Sequence, residues 1–212
     1  MRTDSLIDDD WKFSVAYDGG RKESATEDIN LPYTWNNKDI QAGKIDYYRG
    51  FVVYRKGIFF GEDAKDKRVF LKFDGVSLVA DVFVNKKFVG EHRGGYTAFC
   101  YDISPYLEFG KENQITVKVN SAYQLDIMPL SGDFNIFGGI YRPVHLIVTG
   151  KACISPLDFA SSGVYLTQTN VSDKSAQLEV RTVLSNGYNE AKDLLVKTII
   201  YDKSGKEVEQ KS

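Results

Sequence analysis

Metal-ligating and nucleophilic side chains are scarce in this sequence. Its 212 residues hold two cysteines, Cys100 and Cys153, and two histidines, His92 and His145, all far apart. Four scattered residues of this kind draw no zinc-type cluster. Two cysteines are too few for a disulfide framework, so free thiols packed as small hydrophobes are expected. No residue pattern calls for a cofactor or a metal. A "GxSxG" nucleophile elbow is missing. The paired glycines Gly94-Gly95 and Gly138-Gly139 precede no helical pattern, which removes phosphate-loop chemistry. A basic excess is also missing: 27 Lys+Arg stand against 29 Asp+Glu, a balance that disfavours a nucleic-acid partner. Apolar runs fall short of a membrane span, so no membrane partner is expected. The opening "MRTDSLIDDDWKF" carries no apolar leader, which fits a cytoplasmic start or a secretory one already processed.

Sustained helical periodicity is the last thing the chain lacks. What it has is alternation with period two. "RVFLKFDGV" sets Val69, Leu71 and Phe73 on one face and Arg68, Phe70 and Lys72 on the other. "LVADVFVNKKFVGEH" reads as a β-hairpin around Asn85-Lys86-Lys87. "YRGFVVYRKGIFF", "YTAFCYDI", "NQITVKVNS" and "RPVHLIVTG" are further strands, punctuated by Gly and Asp/Asn clusters at the spacing of sandwich folds. One helical turn is predicted in "SPYLEFGKEN", with Ser104 as its cap and Pro105 in first position. The pattern breaks across "GKACISPLDF", and the strands beyond it, among them "GVYLTQTNV" and "KDLLVKTIIYD", read as a second antiparallel sandwich. Two domains are therefore predicted, 1–152 and 153–212, the second too short for a full sandwich of about 100 residues.

Two residues stand out as candidates for function. Trp35 lies in "LPYTWNNKD", a polar loop, where an aromatic face can stack on a sugar ring while neighbours bond its hydroxyls. Asp133 lies in "PLSGDFNIFGGIYRPV", among apolar residues and glycines rather than other charges. As a plain alternative, an aspartate in "SGD" is a turn residue bonding its own backbone. A glycosidase needs two carboxylates held across the scissile bond. No such pair is visible on one strand face, so no catalytic residue is assigned.

Taken in order, "LPYTWNNKD", "YYRGFVVYRKGIFF", "VFLKFDGV", "ADVFVNKKFVGEHRGGYTAFCYDISPYL", "NQITVKVN" and "GGIYRPVHL" resemble the N-terminal sugar-binding domain of glycoside hydrolase family 2, of the β-galactosidase and β-glucuronidase type. The resemblance covers nearly all of residues 10–150. It implies an all-β fold: a galactose-binding-domain-like jelly-roll β-sandwich followed by a partial immunoglobulin-like β-sandwich. It implies a non-catalytic portion of a retaining β-glycosidase, with β-galactosidase expected first and β-glucuronidase or β-mannosidase as alternatives. The catalytic glutamates of that family lie in a C-terminal (β/α)₈ barrel, which would be the partner of this chain, and the chain alone should be inactive. Asp133 stands nine residues before Arg142, the family's spacing for an aspartate that reaches a terminal β-linked sugar in the barrel. Arg142 is expected to be structural. The resemblance also favours a periplasmic or secreted bacterial location. Where family members often carry "VNG", this chain has "VNKKF", a change expected to alter the turn type and leave function alone. A free-standing carbohydrate-binding module and an adhesion scaffold are the competing classes.

Overall fold

The computed structural model describes residues 2–17, 22–36, 48–128 and 137–212. Nothing about residues 129–136, and therefore nothing about Asp133, falls within that description. The chain divides into two compact units, Met1–Gly150 and Lys151–Ser212.

In the first unit the strands run β1 (Thr3–Leu6), β2 (Trp11–Tyr17), β3 (Lys22–Glu23), β4 (Glu27–Ile29), β5 (Phe51–Phe60), β6 (Arg68–Phe73), β7 (Val76–Ser77), β8 (Val79–Val84), β9 (Lys87–Arg93), β10 (Phe99–Asp102), β11 (Lys111–Asn120), β12 (Gly139–Ile140) and β13 (Val144–Thr149). All pairings are antiparallel. One sheet has the order β1-β13-β6-β10; the other has the order β3-β2-β5-β11-β8-β9, with β4 also on β2. The inward positions of both sheets meet in one cluster. Trp11, Tyr54, Val82, Val117 and Val119 come from the larger sheet and Val69, Leu71, Phe73 and Val144 from the smaller, all fully buried. Burying a side chain of this size contributes about 1.5–3 kcal/mol, so the alternation quoted above is what makes the sandwich. The antiparallel all-β fold expected from the sequence is the one observed.

Details depart from expectation in four places. The first four strands were not anticipated. β1 is exposed along its whole length and has no apolar face to betray it, although "WKFSVAY" of β2 does alternate. Phe70 points away from Val69 and Leu71 yet is fully buried, with the Arg68 guanidinium 4.7 Å above its ring. The helical turn spans Ser104–Tyr106, one residue earlier than predicted. Its N-cap position is Ile103, not Ser104; one residue earlier, Asp102 Oδ1 accepts the backbone N–H of Ser104 at 3.0 Å and its hydroxyl at 2.6 Å, a local turn bond typical of a short acceptor side chain. Finally, Lys87 already belongs to β9, and Asn85 and Lys86 both have positive φ, 51° and 66°. That is the two-residue hairpin an Asn-Gly pair also favours, so lysine in place of glycine keeps the turn type instead of altering it.

The hairpin is held from behind by a buried amide network. Asn113 is fully buried. Its Oδ1 accepts from Asn85 Nδ2 at 2.7 Å and from the Glu108 backbone at 2.7 Å, and its own Nδ2 donates to the Glu108 and Lys111 carbonyls. A buried amide satisfied on every side fixes register, because any slip would strand its donors.

The second unit contains β14 (Ala152–Ile154), β15 (Val164–Thr169), β16 (Gln177–Thr182), β17 (Leu184–Asn186), β18 (Thr198–Tyr201) and β19 (Glu207–Lys211). They form three separate two-stranded ladders, β14-β17, β15-β16 and β18-β19. "KDLLVKTIIYD" is strand only over its last part, and Leu194 and Leu195 before it are exposed. Both cysteines are free thiols and half-buried, as expected; burial pushes the Cys100 thiol up to about 12.

Candidate functional site

Four stretches of the first unit meet around Trp35: 31–36, 48–51, Ser121 and 137–140, the last directly following residues 129–136 in sequence. Trp35 is the centre of the meeting. It is 8% exposed, and its indole N–H donates to the Tyr48 carbonyl at 2.9 Å. Its ring lies nearly parallel to Phe13 at 6.4 Å and edge-on to Tyr48 at 6.4 Å. It rests on Gly138 and Gly139. A Cβ on Gly138 would run into the indole, and one on Gly139 into the Tyr54 hydroxyl. Gly139 also holds φ at +106°, which only glycine adopts without strain. The Phe-Gly-Gly hinge is thus the seat of a buried tryptophan.

Hydrogen bonds complete the frame. Asn36, 1% exposed, accepts the Gly138 backbone N–H on Oδ1 at 3.2 Å. The Tyr33 N–H donates to the Ile140 carbonyl at 2.8 Å, and the Tyr54 hydroxyl to the Tyr33 carbonyl at 3.0 Å. Burial drives the Tyr54 phenol far above its ordinary value, so it stays a neutral donor. Across the frame, Arg49 Nε donates to the Ser121 carbonyl at 3.1 Å, while Gly50 and Ser121 exchange further bonds. The residues that directly follow the segment carrying Asp133 are therefore fastened to buried anchors, Trp35, Asn36 and Tyr33.

An indole this buried, with its donor engaged, presents no open face for stacking a sugar. In this structure Trp35 packs. Arg142 is structural: its Nη1 donates to the carbonyls of Asp74 and Tyr96, both at 3.3 Å, and its guanidinium lies 5.3 Å over the Tyr141 ring. Among the described residues no group of three or more His, Cys, Asp or Glu side chains is placed to hold a metal. Asn36, Tyr48, Arg49 and Ser121 escaped the sequence reading. Arg49 and Ser121 are 72 positions apart, and no local pattern links them.

The comparisons with known proteins agree with this architecture. Residues 9–150 match the sugar binding domain of glycosyl hydrolases family 2. The chain belongs to this family. It corresponds to the N-terminal part of a family 2 enzyme. It is 49% identical over 186 residues to a β-glucuronidase of Bacteroides fragilis, an alignment covering 88% of this chain and 26% of that protein. To a β-galactosidase of Thermoanaerobacter pseudethanolicus it is 36% identical over 173 residues, 80% of this chain and 22% of that one. Among solved structures, β-glucuronidase 2 of Bacteroides uniformis, covalently bound to cyclophellitol-6-carboxylate aziridine, matches with a TM-score of 0.87 at 33% identity, over 99% of this chain and 25% of that one. The chain thus spans about a quarter of the length of these relatives.

Proposed function

We propose that this chain is the supporting N-terminal portion of a retaining β-glycosidase acting on terminal β-linked sugars. Residues 1–150 buttress the catalytic barrel, and Asp133 is the residue they lend to the substrate. Residues 153–212 contribute strands to an immunoglobulin-like sandwich. The observation that carries this reading is the anchoring of 137–140, the residues that directly follow the Asp133 segment. A loop serving a site built by another domain needs fixed ends, because an ångström of misplacement costs catalysis. Trp35 seated on Gly138-Gly139, with Asn36 on Gly138, fixes the downstream end. Trp35 acts here as a positioning residue.

For the sugar, the order expected from sequence is reversed: β-glucuronide comes first and β-galactoside second. Identity of 49% to a protein named β-glucuronidase, against 36% to one named β-galactosidase, supports this order. The B. uniformis protein's covalent bond to a 6-carboxylate compound supports a carboxylate-bearing sugar and a covalent intermediate, as retaining hydrolysis requires.

The test joins this chain to its catalytic domain. Asp133→Ala should lower kcat/KM for p-nitrophenyl β-glucuronide about 10- to 100-fold, the loss of hydrogen bonds to a charged group, with the melting temperature unchanged. An unchanged kcat/KM removes Asp133 from the site. A higher kcat/KM for the β-galactoside than for the β-glucuronide in the parent protein restores the original order.

A further inference from the structure

The outer face of the seven-stranded sheet carries two adjacent cross-strand rows. In one, Val53, Lys118, Asp81 and Glu91 stand side by side; in the next, Phe51, Asn120, Val79 and Arg93 do. Together with Gln124 they line a concavity of about 300 Å³, the lower end of the range for ligand pockets. Its floor is apolar, with Val53 and Val79 3% and 7% exposed. Phe51 stands at its rim, 39% exposed.

Apart from an Arg93–Glu91 contact, the polar groups of the concavity are not spent on one another. Asp81 is half-buried, yet its carboxylate makes no hydrogen bond and no ion pair within 4 Å among the described residues. Lys118 lies beside it in register, and its ammonium is over the Phe83 ring at 5.1 Å rather than on a carboxylate. Asn120 uses its Oδ1 on the Ala122 backbone, and Gln124 its Nε2 on the Ala122 carbonyl, which leaves one amide donor and one amide acceptor. Arg93 is occupied: it holds Asp126 at 2.7 Å and reaches Glu91 at 3.7 Å.

We infer that this groove binds a neutral hexopyranose unit, with Asp81 and Lys118 on neighbouring hydroxyls and Phe51 against the C–H face of the ring. A sugar offers donors and acceptors around its rim and an apolar face. The groove offers an acceptor-only carboxylate, a donor-only ammonium, two amides and an aromatic edge over an apolar floor. Neutrality follows from the acids. Asp81 and Glu91 face the same space as Lys118 and Arg93, so the lining is charge-balanced, and a uronate carboxylate would leave it with net negative charge beside two acids. Burial, and then Glu91, raise the Asp81 pKa, a sign that this space already resists more negative charge. The inference rests on the groove alone and not on the glycosidase reading.

The experiment is an amide-resolved NMR titration of the 212-residue chain with methyl β-D-glucopyranoside and, separately, with D-glucuronate. Saturable shifts in the millimolar range, clustered at 51–53, 79–81 and 118–124 and weaker for glucuronate, are expected. Asp81→Asn and Lys118→Gln should each weaken the neutral sugar at least about fivefold, the loss of one charge-assisted hydrogen bond, while their amide spectra report that the fold is kept. The wild-type shift map decides the matter even if a variant fails to fold. Absence of saturable shifts, shifts centred elsewhere, or glucuronate binding as tightly as the neutral sugar would overturn the site. No hydrolysis is measured, so the outcome is independent of the Asp133 experiment.

Discussion

The two units share one alphabet of alternating strands and differ in what the alternation meets. In residues 1–150 each apolar face finds an opposing sheet, and Trp11, Phe73, Val82 and Val117 are fully buried. In residues 151–212 the strands pair two by two. Pro156 and Ala160 are the buried apolar side chains there among the described residues, whereas Leu166, Leu195 and Val208 are 63%, 83% and 62% exposed. Strand pairing satisfies the backbone, but it takes a second layer to remove apolar surface from water. The contrast teaches that alternation predicts a strand and promises a core only where another face is supplied.

The sharpest way to break this contrast is a matched pair of truncations. Phe73→Ala should cost about 3–5 kcal/mol, and Leu195→Ala less than about 0.5 kcal/mol. Both tryptophans, Trp11 and Trp35, lie in the first unit, so tryptophan fluorescence during denaturant unfolding reads Phe73→Ala, and far-UV circular dichroism, which sees both units, reads Leu195→Ala. A large loss for Leu195→Ala would show the second unit to be packed in solution. Next, Gly139→Ala should destabilise by about 2 kcal/mol or more, because it adds a clash with Tyr54 to a positive φ. The same denaturation curve measures it, and a neutral result would dissolve the frame around Trp35.

A smaller effect depends on pH. Glu23 is held below its ordinary 4.5 by the hydrogen bond from Arg55 at 2.5 Å, with Ser14 assisting, against the opposing effect of burial. A lowered carboxylate stabilises the fold above its unfolded pKa and loses that contribution as pH falls through the folded value. Glu23→Gln should therefore cost about 0.2–1 kcal/mol at neutral pH, the range of a half-exposed pair. Wild type and variant should converge as pH falls through the lowered folded value. Equal stability at pH 7 would reduce the pair to decoration. The smallest effect belongs to the hairpin: Lys86→Gly should stabilise by about 0.5 kcal/mol, relief of the left-handed φ exceeding the added freedom of the unfolded chain. A loss of stability in thermal melts would assign Lys86 a contact that outweighs its backbone strain.

Much of the fold was legible residue by residue. "VFLKF", "FVVY" and "NQITVKV" announced their inward faces, and Asn85 announced a hairpin. β1 was illegible because an edge strand of exposed polar residues has no periodic apolar signal. For the candidate site the sequence pointed at Asp133, Trp35 and the double glycine as separate oddities. It did not say that the tryptophan is the reason for the glycines, since that is a contact over a hundred positions along the chain.

The sequence by itself determined the strand pattern, the antiparallel all-β class, the free thiols and the membership of glycosyl hydrolases family 2, because each depends on local periodicity, residue counts or an ordered string of motifs. Tertiary structure alone decided that Trp35 packs rather than stacks, that Asp102 takes both hydrogen bonds of Ser104, that Phe70 is buried on the supposedly outer face, and that Asp81 and Lys118 share a groove. Period two assigns a side chain to one of two faces. What covers that face, and which distant residue stands beside it, is set by strand order and register, and these are properties of the assembled sheets.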